Sequence, residues 1–555
     1  MSRFFGEMKI LLKLIADKIG LRKWPLAVLL SFRRELRKII NSVDGKTILI
    51  INQTNGFFHL AIEVIIAYSL ILRGNKVVFT LCQGQKRCVF FQLRGENPCK
   101  RCQGKAGAFL KLCGFKSIGT NKYITESMRV NYDELYSSIN ISNYKDITYN
   151  NCNLFNLSRS SIVNELFTDI YTDKDITIIK DYLIASAQAT DIVPIIINKF
   201  NPDMLLTVNG THPMSRYSIL YCKGINIPIY SWESTSNGRL IIRKNMGAID
   251  FHISKSEFED FKNIHTLGIE ENKALNSYLE YRIDNKFLFR QELLKNKTGI
   301  FKSLSITPDD FIITLFPNLS NDSAVVEYPG DVFPTMFDWL DETINFLKDY
   351  SNFKLVVRPH PAELLGEGGM CENYKVPHPV AGHIKENYPN LQKNIIVLEA
   401  DTEISSYALL DISDMVLVYT SNIGFEAILR GIPTLQGGNP HYHGHGITYE
   451  YNTVNKYHEI LIDLISKGKG NKLDDETVNK ARELFFLIYF VLTFPLDVIE
   501  VDEFYFYHIK KININKLFYL AQGKNKTIDF ICDYILGNEK NYFNRSWHNQ
   551  KSLSP

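Results

Sequence analysis

The residues of this chain best suited to chemistry stand in two short runs. In KLVVRPHPAE (354–363), Arg358 and His360 follow directly on an apolar stretch. Pro359 and Pro361 cannot donate to a strand ladder, so they end that strand sharply. In DMVLVYTSNIGFEAILRGIPTLQGG (414–438), a second apolar stretch ends at Tyr419, the hydroxyls of Thr420 and Ser421 follow, and Asn422 opens a helix. Arginine and histidine side chains meet anions, and the free N–H groups and dipole of a helix start favour a phosphate. Glu426, one turn further on, is placed to accept hydrogen bonds from ribose hydroxyls. Plainer roles compete: Ser421 as a helix cap, Asn422 as a solvated first-turn residue, Glu426 as an ordinary helical carboxylate. Asn318, Ser320 and Asn321 in FPNLSNDSA (316–324) follow a third apolar run and either touch a sugar or phosphate or form a polar turn.

Proton-transfer candidates lie earlier in the chain. His59 sits in NQTNGFFHLAIE, His212 in TVNGTHP and Glu233 in YSWESTSNG, each just past an apolar run. A general base must come within hydrogen-bond reach of the hydroxyl it activates. Glu233 is the first choice for that position and His59 the second, while all three also suit a cap or a buried donor. His441, His443 and His445 alternate with glycine in a loop, a pattern that argues against a closed zinc site. Cys82, Cys88, Cys99, Cys102 and Cys113 gather five of the nine cysteines between residues 82 and 113. Only Cys99-x-x-Cys102 has tight chelate spacing, yet four thiolates of the group suffice for a structural Zn²⁺ or an iron–sulfur cluster. Free buried thiols are the alternative.

The elements that must position these groups are legible as alternation of strands and helices. KTILIINQTNGFFHLAIEVIIAYSLILRGNKVVFTL reads as strand, loop, helix, strand, a βαβ opening with one glycine in its loop and no dinucleotide fingerprint. Strands are expected again at 203–208 and 227–232. From about Phe301 a second series of strands and helices opens, with strands at FIITLF, FKLVV, NIIVL, DMVLVY and IPTLQ. This is an α/β chain of two Rossmann-like, doubly wound domains, and ligands of such sheets bind beyond the carboxyl ends of the strands. The expected division is a basic amphipathic segment 1–45, a first domain 46–300 with a Cys-rich insertion 82–113, a second domain 301–470, and a helical extension 471–555. The aromatic stretch ARELFFLIYFVLTF in that extension is placed to cross back over the first domain.

RPHPAE, YTSNIGFEAILRGIPTLQGG and HGHGITYEY together resemble the capsule polysaccharide biosynthesis glycosyltransferases, a GT-B family that includes capsular 3-deoxy-manno-octulosonate transferases. The resemblance covers roughly Phe311 to Tyr451. It implies two Rossmann-like domains facing across a cleft, with His360 and Ser421 at phosphate-binding positions, Glu426 as the helix carboxylate, and His443 and His445 in the donor pocket. It also implies transfer from a CMP-, UDP- or GDP-linked sugar to a glycan or lipid-linked acceptor, with no catalytic cofactor or metal. A nucleotide-sugar epimerase of the same architecture and a non-catalytic scaffold of a polysaccharide assembly complex are the competing readings.

Composition narrows the rest. At 555 residues the chain exceeds one core, and a formal charge of +3 with no basic stripe speaks against nucleic acid. Nine cysteines in that length do not make a secreted disulfide scaffold. The first forty residues carry lysines and arginines among helix-spaced apolar positions, without the run of ~20 needed to span a bilayer. They either pack on the first domain or lie on an anionic membrane surface. A cytoplasmic protein is expected, with peripheral contact on the inner face of the cell membrane as its variant.

Overall fold

The computed structural model describes residues 24–52, 57–82, 98–235, 239–284, 296–364, 376–501 and 509–538. In chain order the elements used below are α1 (Leu26–Ile39), β1 (Thr47–Asn52), α2 (Phe57–Ile71), β2 (Lys76–Leu81), α3 (Pro98–Cys113) and β3 (Ser117–Gly119). A two-residue ladder follows, β4 (Thr148–Tyr149) with β5 (Cys152–Asn153), and then α4 (Ile176–Phe200), β6 (Met204–Val208), α5 (Pro213–Gly224), β7 (Ile229–Ser234) and β8 (Arg239–Lys244). Next come α6 (Ile269–Asp284), β9 (Ile312–Phe316), α7 (Met336–Leu347), β10 (Lys354–Val357), β11 (Ile395–Val397), β12 (Met415–Val418), α8 (Asn422–Leu429) and β13 (Thr434–Gln436). The chain ends with α9 (Asp475–Phe486), β14 (Thr493–Pro495), β15 (Ile499–Val501), β16 (Ile509–Ile512) and α10 (Lys526–Leu536).

These elements form two units. The first takes its described residues from 24–162, 171–250 and 492–538, and the second from 163–170 and 251–491. The division therefore falls at Asp250/Phe251, where the sequence led us to expect about residue 300, and the return to the first unit falls at Leu492. The helices between 255 and 284 look in sequence like a continuation of the first domain, but they pack with the second.

The first unit holds a seven-stranded sheet in the order β14-β8-β7-β6-β1-β2-β3. Strands β3, β2, β1, β6 and β7 run parallel, and β8 and β14 add an antiparallel edge. Central strands such as TILIIN are apolar nearly throughout because both faces of a parallel sheet are covered. β14–β16 are short strands within the extension 471–555, which its sequence presents as helical. Thr493–Pro495 pairs with a strand some 250 positions earlier, a partnership no local pattern announces. Pro495 is tolerated because β14 is the edge. The buried Arg239 secures the pairing, its Nε donating to Thr493 Oγ1 at 2.8 Å and its Nη2 to the Thr493 carbonyl at 2.9 Å.

The second unit holds a parallel sheet ordered β11-β10-β9-β12-β13. Its order reverses between β9 and β12, which is where an open α/β sheet leaves a crevice at its carboxyl edge. In the first unit the equivalent reversal lies between β1 and β6. Each unit is thus built on a helix-flanked α/β sheet of the Rossmann-like, doubly wound kind.

The described part of the N-terminal segment packs on the first unit. Leu29, Phe32 and Leu36 are buried at the steps of three and four typical of one helix face, and Trp24, just before the helix, is buried with them. Residues 1–23 lie outside the described residues. Among the described residues, no helix is long and apolar enough to cross a membrane.

Candidate functional site

The second unit gathers its candidates at the reversal point. Asn318 follows β9, Thr420 follows β12, and Asn318 Nδ2 donates to Thr420 Oγ1 at 3.0 Å, tying the two loops together. Asn318 is otherwise occupied: Nδ2 also donates to Asp322 Oδ2 at 3.2 Å, and Oδ1 accepts the Leu319 N–H at 2.8 Å. Beside it, the buried Ser320 Oγ and Asn321 Oδ1 have no hydrogen-bond partner. A buried polar atom left unpaired costs free energy, so these two atoms are open to a further hydrogen bond.

Ser421 stands at the N-cap of α8 with extended backbone, yet its hydroxyl makes no capping bond. It is half-buried and available, whereas Asn422 is exposed. The helix seats against β12 because position 424 is glycine. A Cβ there would come within 2.4 Å of the Tyr442 hydroxyl and 2.7 Å of Val418 Cγ2. Tyr442 in turn donates to the Ser421 carbonyl at 2.9 Å, fixing the turn that presents the helix terminus.

His360 follows β10. Its Nδ1 accepts the backbone N–H of Ala362 at 3.1 Å, so the ring proton resides on Nε2. Burial, with the Arg358 charge adding to it, lowers the imidazole pKa to about 4. The residue is thus a neutral donor at physiological pH rather than a cation.

Arg358 does not reach outward as the sequence suggested. It is buried, and its Nη1 donates to the carbonyls of Pro359, Glu399 and Ala400 at 2.8, 3.4 and 3.3 Å. Its Nε is buried without a partner. Desolvation lowers the guanidinium pKa to about 10, which leaves it charged. A residue that sequence reasoning passed over lies next to it. Glu363, in the turn Pro361–Leu364, is buried, accepts the Val380 N–H at 3.3 Å on Oε1, and leaves Oε2 unpaired. Burial pushes its pKa up to about 7. The signal was its position in RPHPAE, three residues beyond the histidine.

Glu426 is buried and held by Arg282, whose Nε donates to Oε1 at 2.7 Å. Ribose would therefore have to share this carboxylate with an ion pair that no local pattern revealed, since Arg282 comes from α6. Arg282→Met strands a buried carboxylate and should cost about 2 kcal/mol of stability, the partner arginine being partly exposed. Adding Glu426→Gln should recover most of it, and chemical denaturation of the two variants checks both. His443 Nδ1 lies 3.1 Å from Gln436 Nε2. His445 is buried, edge-on to Phe258 with ring centroids 5.4 Å apart. Burial lowers the pKa of both imidazoles. His441 packs between Phe425 and Tyr489. The three histidines thus point to different neighbours, and among the described residues none joins a group suited to a metal.

In the first unit the two base candidates part company. The His59 ring lies 5.6 Å from that of Trp232, on the α2 side of the sheet. Glu233 is the next residue of β7, and alternation sends it to the opposite face. It is buried, and its Oε1 accepts the Ser234 N–H at 2.7 Å. Burial, reinforced by His212, lowers the His59 pKa to about 3, which makes it a weak base. The first unit also holds a carboxyl that the sequence reading missed. Glu63 lies in the largely apolar α2, fully buried, and accepts a short hydrogen bond from Asn52 Nδ2 at the end of β1. Burial raises its pKa to about 8 against the partial offset of Asn52. It is neutral at physiological pH.

Of the metal candidates, Cys113 lies in the core among Tyr68, Phe109 and Phe115, and burial raises its thiol pKa to about 12. Cys82 follows β2 and is half-buried. Cys88 and the side chains of Cys99 and Cys102 lie outside the described residues.

Residues 310–461 match the family described as Capsule polysaccharide biosynthesis protein. No match is found among proteins with curated descriptions. Among solved structures the chain is similar to a β-Kdo 2,7-transferase, KpsC of Thermosulfurimonas dismutans, at 16% identity and a TM-score of 0.32, over 56% of this chain and 84% of that one. It is similar also to the UDP-GlcNAc 2-epimerase of Neisseria meningitidis, at 11% identity and a TM-score of 0.25, over 80% of this chain and 99% of the other. The family match spans β9 to β13, and with them His360, Ser421, Asn318, Ser320, Glu363 and Glu426.

Proposed function

We propose that the protein is a glycosyltransferase that moves a sugar from a nucleotide-activated donor to a glycan or glycolipid acceptor in capsule or surface polysaccharide assembly. The observation that carries this reading is the reversal point of the second sheet. There the uncapped Ser421 at the start of α8 and the tied Asn318–Thr420 loops lie beyond the strand ends, within the segment that matches the capsule family. Such a place suits a phosphate. His360 follows the neighbouring strand but one, β10, and supplies a donor with its proton on Nε2.

Glycosyl transfer builds negative charge on the departing phosphate as the sugar–oxygen bond breaks. Fixed N–H donors already oriented toward that oxygen stabilise the transition state more than the ground state. Helix α8 contributes backbone N–H groups and the Ser421 hydroxyl. Ser320 and Asn321 then face the sugar or phosphate on a loop that Asn318 holds in place, and Glu426, steadied by Arg282, the ribose. The acceptor hydroxyl must lose a proton, and we assign the base to Glu233 of the first unit, with His59 second because its lowered pKa weakens it.

The test is a panel of cytidine-, uridine- and guanosine-activated sugars, with nucleotide release followed with and without lipid-linked or oligosaccharide acceptors. Acceptor-dependent release of one nucleotide is expected. Release without any acceptor dependence across the panel overturns the transferase reading, and interconversion of the free nucleotide sugar replaces it with an epimerase. Glu233→Gln should lower transfer at least tenfold, as loss of a general base does. Near-full transfer in that variant moves the assignment to His59.

A further inference from the structure

Unit 1 carries an apolar and basic face that the sugar-transfer reading does not use. Helix α1 lies against α2 through Trp24 and Phe32, whose rings stand 6.3 and 5.5 Å from that of Tyr68. Its other side leaves Leu26 and Leu30 about half exposed, at 43% and 45%, one helical turn apart. Arg34, Arg37 and Lys38 are exposed on the same helix, with Glu35 as its one acidic residue.

A second element flanks α2 from the C-terminal part of the chain. The 3-10 turn Leu517–Leu520 packs inward through Leu517 and Leu520, and the Leu520 carbonyl accepts a hydrogen bond from Arg73, just beyond the end of α2, at 3.0 Å. Its remaining residues, Phe518 and Tyr519, face solvent at 56% and 47% exposure. Lys524 sits over the Phe518 ring with Nζ 4.6 Å from its centroid, and Lys516 and Lys526 are exposed nearby. From Ile509 to Lys526 the sequence holds five lysines and no acidic residue.

Both elements cover the α2 side of one sheet, so their exposed apolar residues and their cations belong to the same side of the unit. An aromatic pair with lysines around it matches the boundary between lipid headgroups and acyl chains, where rings insert shallowly and ammonium groups meet phosphates. Hydration alone would not favour leaving four large apolar side chains exposed at two sites of like charge.

We propose that this face docks on an anionic lipid surface, with Phe518 and Tyr519 entering the headgroup region beside Lys516 and Lys524, and Leu26 and Leu30 providing a second point of contact. The occupant is a membrane rather than an anionic glycan, because exposed Leu and Phe side chains gain nothing from a hydrated polyanion.

The experiment is co-sedimentation of the full chain with vesicles of phosphatidylcholine, alone or mixed with phosphatidylglycerol, at low and high salt and without nucleotide. Binding to the mixed vesicles, weakened by salt, is expected. Lys516→Glu with Lys524→Glu should weaken it about tenfold or more, since each basic residue near an anionic surface contributes separately. Phe518→Ser with Tyr519→Ser, and Leu26→Ser with Leu30→Ser, should each weaken it severalfold, with unchanged circular dichroism and melting. Equal binding to phosphatidylcholine alone overturns the proposal. So does binding that survives all three pairs of substitutions, which would place it in residues 1–23, or binding abolished by a soluble anionic polysaccharide with no vesicle preference. None of these readouts depends on sugar transfer, so the two proposals fail separately.

Discussion

His360→Ala is expected to lower kcat by about a hundredfold, the usual consequence of removing one preorganised donor to a developing oxyanion. Donor-nucleotide affinity should fall only severalfold, because the bond strengthens as charge builds on the phosphate. The fixed tautomer makes this sharper. Nδ1 is already bonded to the Ala362 N–H, so the Nε2 proton is the one left to donate. With a pKa lowered to about 4, the ring is neutral across the range in which the enzyme would work. Its contribution should therefore be flat from about pH 5 upward, and a rate that falls as pH rises through 6–7 would require a charged imidazole instead. Steady-state kinetics at several pH values, paired with equilibrium binding of the nucleotide, separates these outcomes. A raised KM with unchanged kcat would reduce His360 to a ground-state contact.

Glu63→Gln is expected to stabilise the protein at neutral pH. The folded-state pKa of about 8 stands above the ordinary carboxylate value of 4.5. Folding therefore takes up a proton between those values, and stability falls as pH rises through that window. At pH 7 the penalty is about 3 kcal/mol relative to acid conditions. Glutamine keeps the shape and an oxygen for Asn52 but has no charge to desolvate. The gain should be near zero at pH 4.5 and grow to about 3 kcal/mol by pH 7. Denaturant titrations at the two pH values check it, and an equal gain at both would refute burial as the cause. A carboxyl kept at such a cost, at the carboxyl end of β1, invites a functional reading. Loss of transfer in a variant that is more stable would identify Glu63 as an acid or base of the first unit.

Much of the second unit was legible in its sequence. Uninterrupted apolar runs such as FIITLF and DMVLVY mark parallel strands buried on both faces, and the prolines of RPHP mark the end of one of them. The hydroxyls and helix start after Tyr419 identify a terminus with free N–H groups. These signals are local, since each depends on backbone geometry within a few residues. For the same reason the positions of His360 and Ser421 just beyond strand ends were legible before any fold was known.

What only the tertiary structure decided involves partners distant in sequence. Arg282 reaches Glu426 across 144 positions, and Arg239 reaches Thr493 across 254, so neither pairing leaves a local trace. Burial acts in the same way. It makes Glu63 a neutral acid and Cys113 an unreactive thiol, although their neighbours in sequence give no hint of either. Strand alternation set Glu233 and His59 on opposite faces, a result that required knowing which side of β7 meets α2. The sequence by itself determined strands, helix termini and the polar residues that follow the strand ends. The environment of each titratable group was decided by the packing within each unit, because desolvation and ion pairing depend on what surrounds a side chain in space.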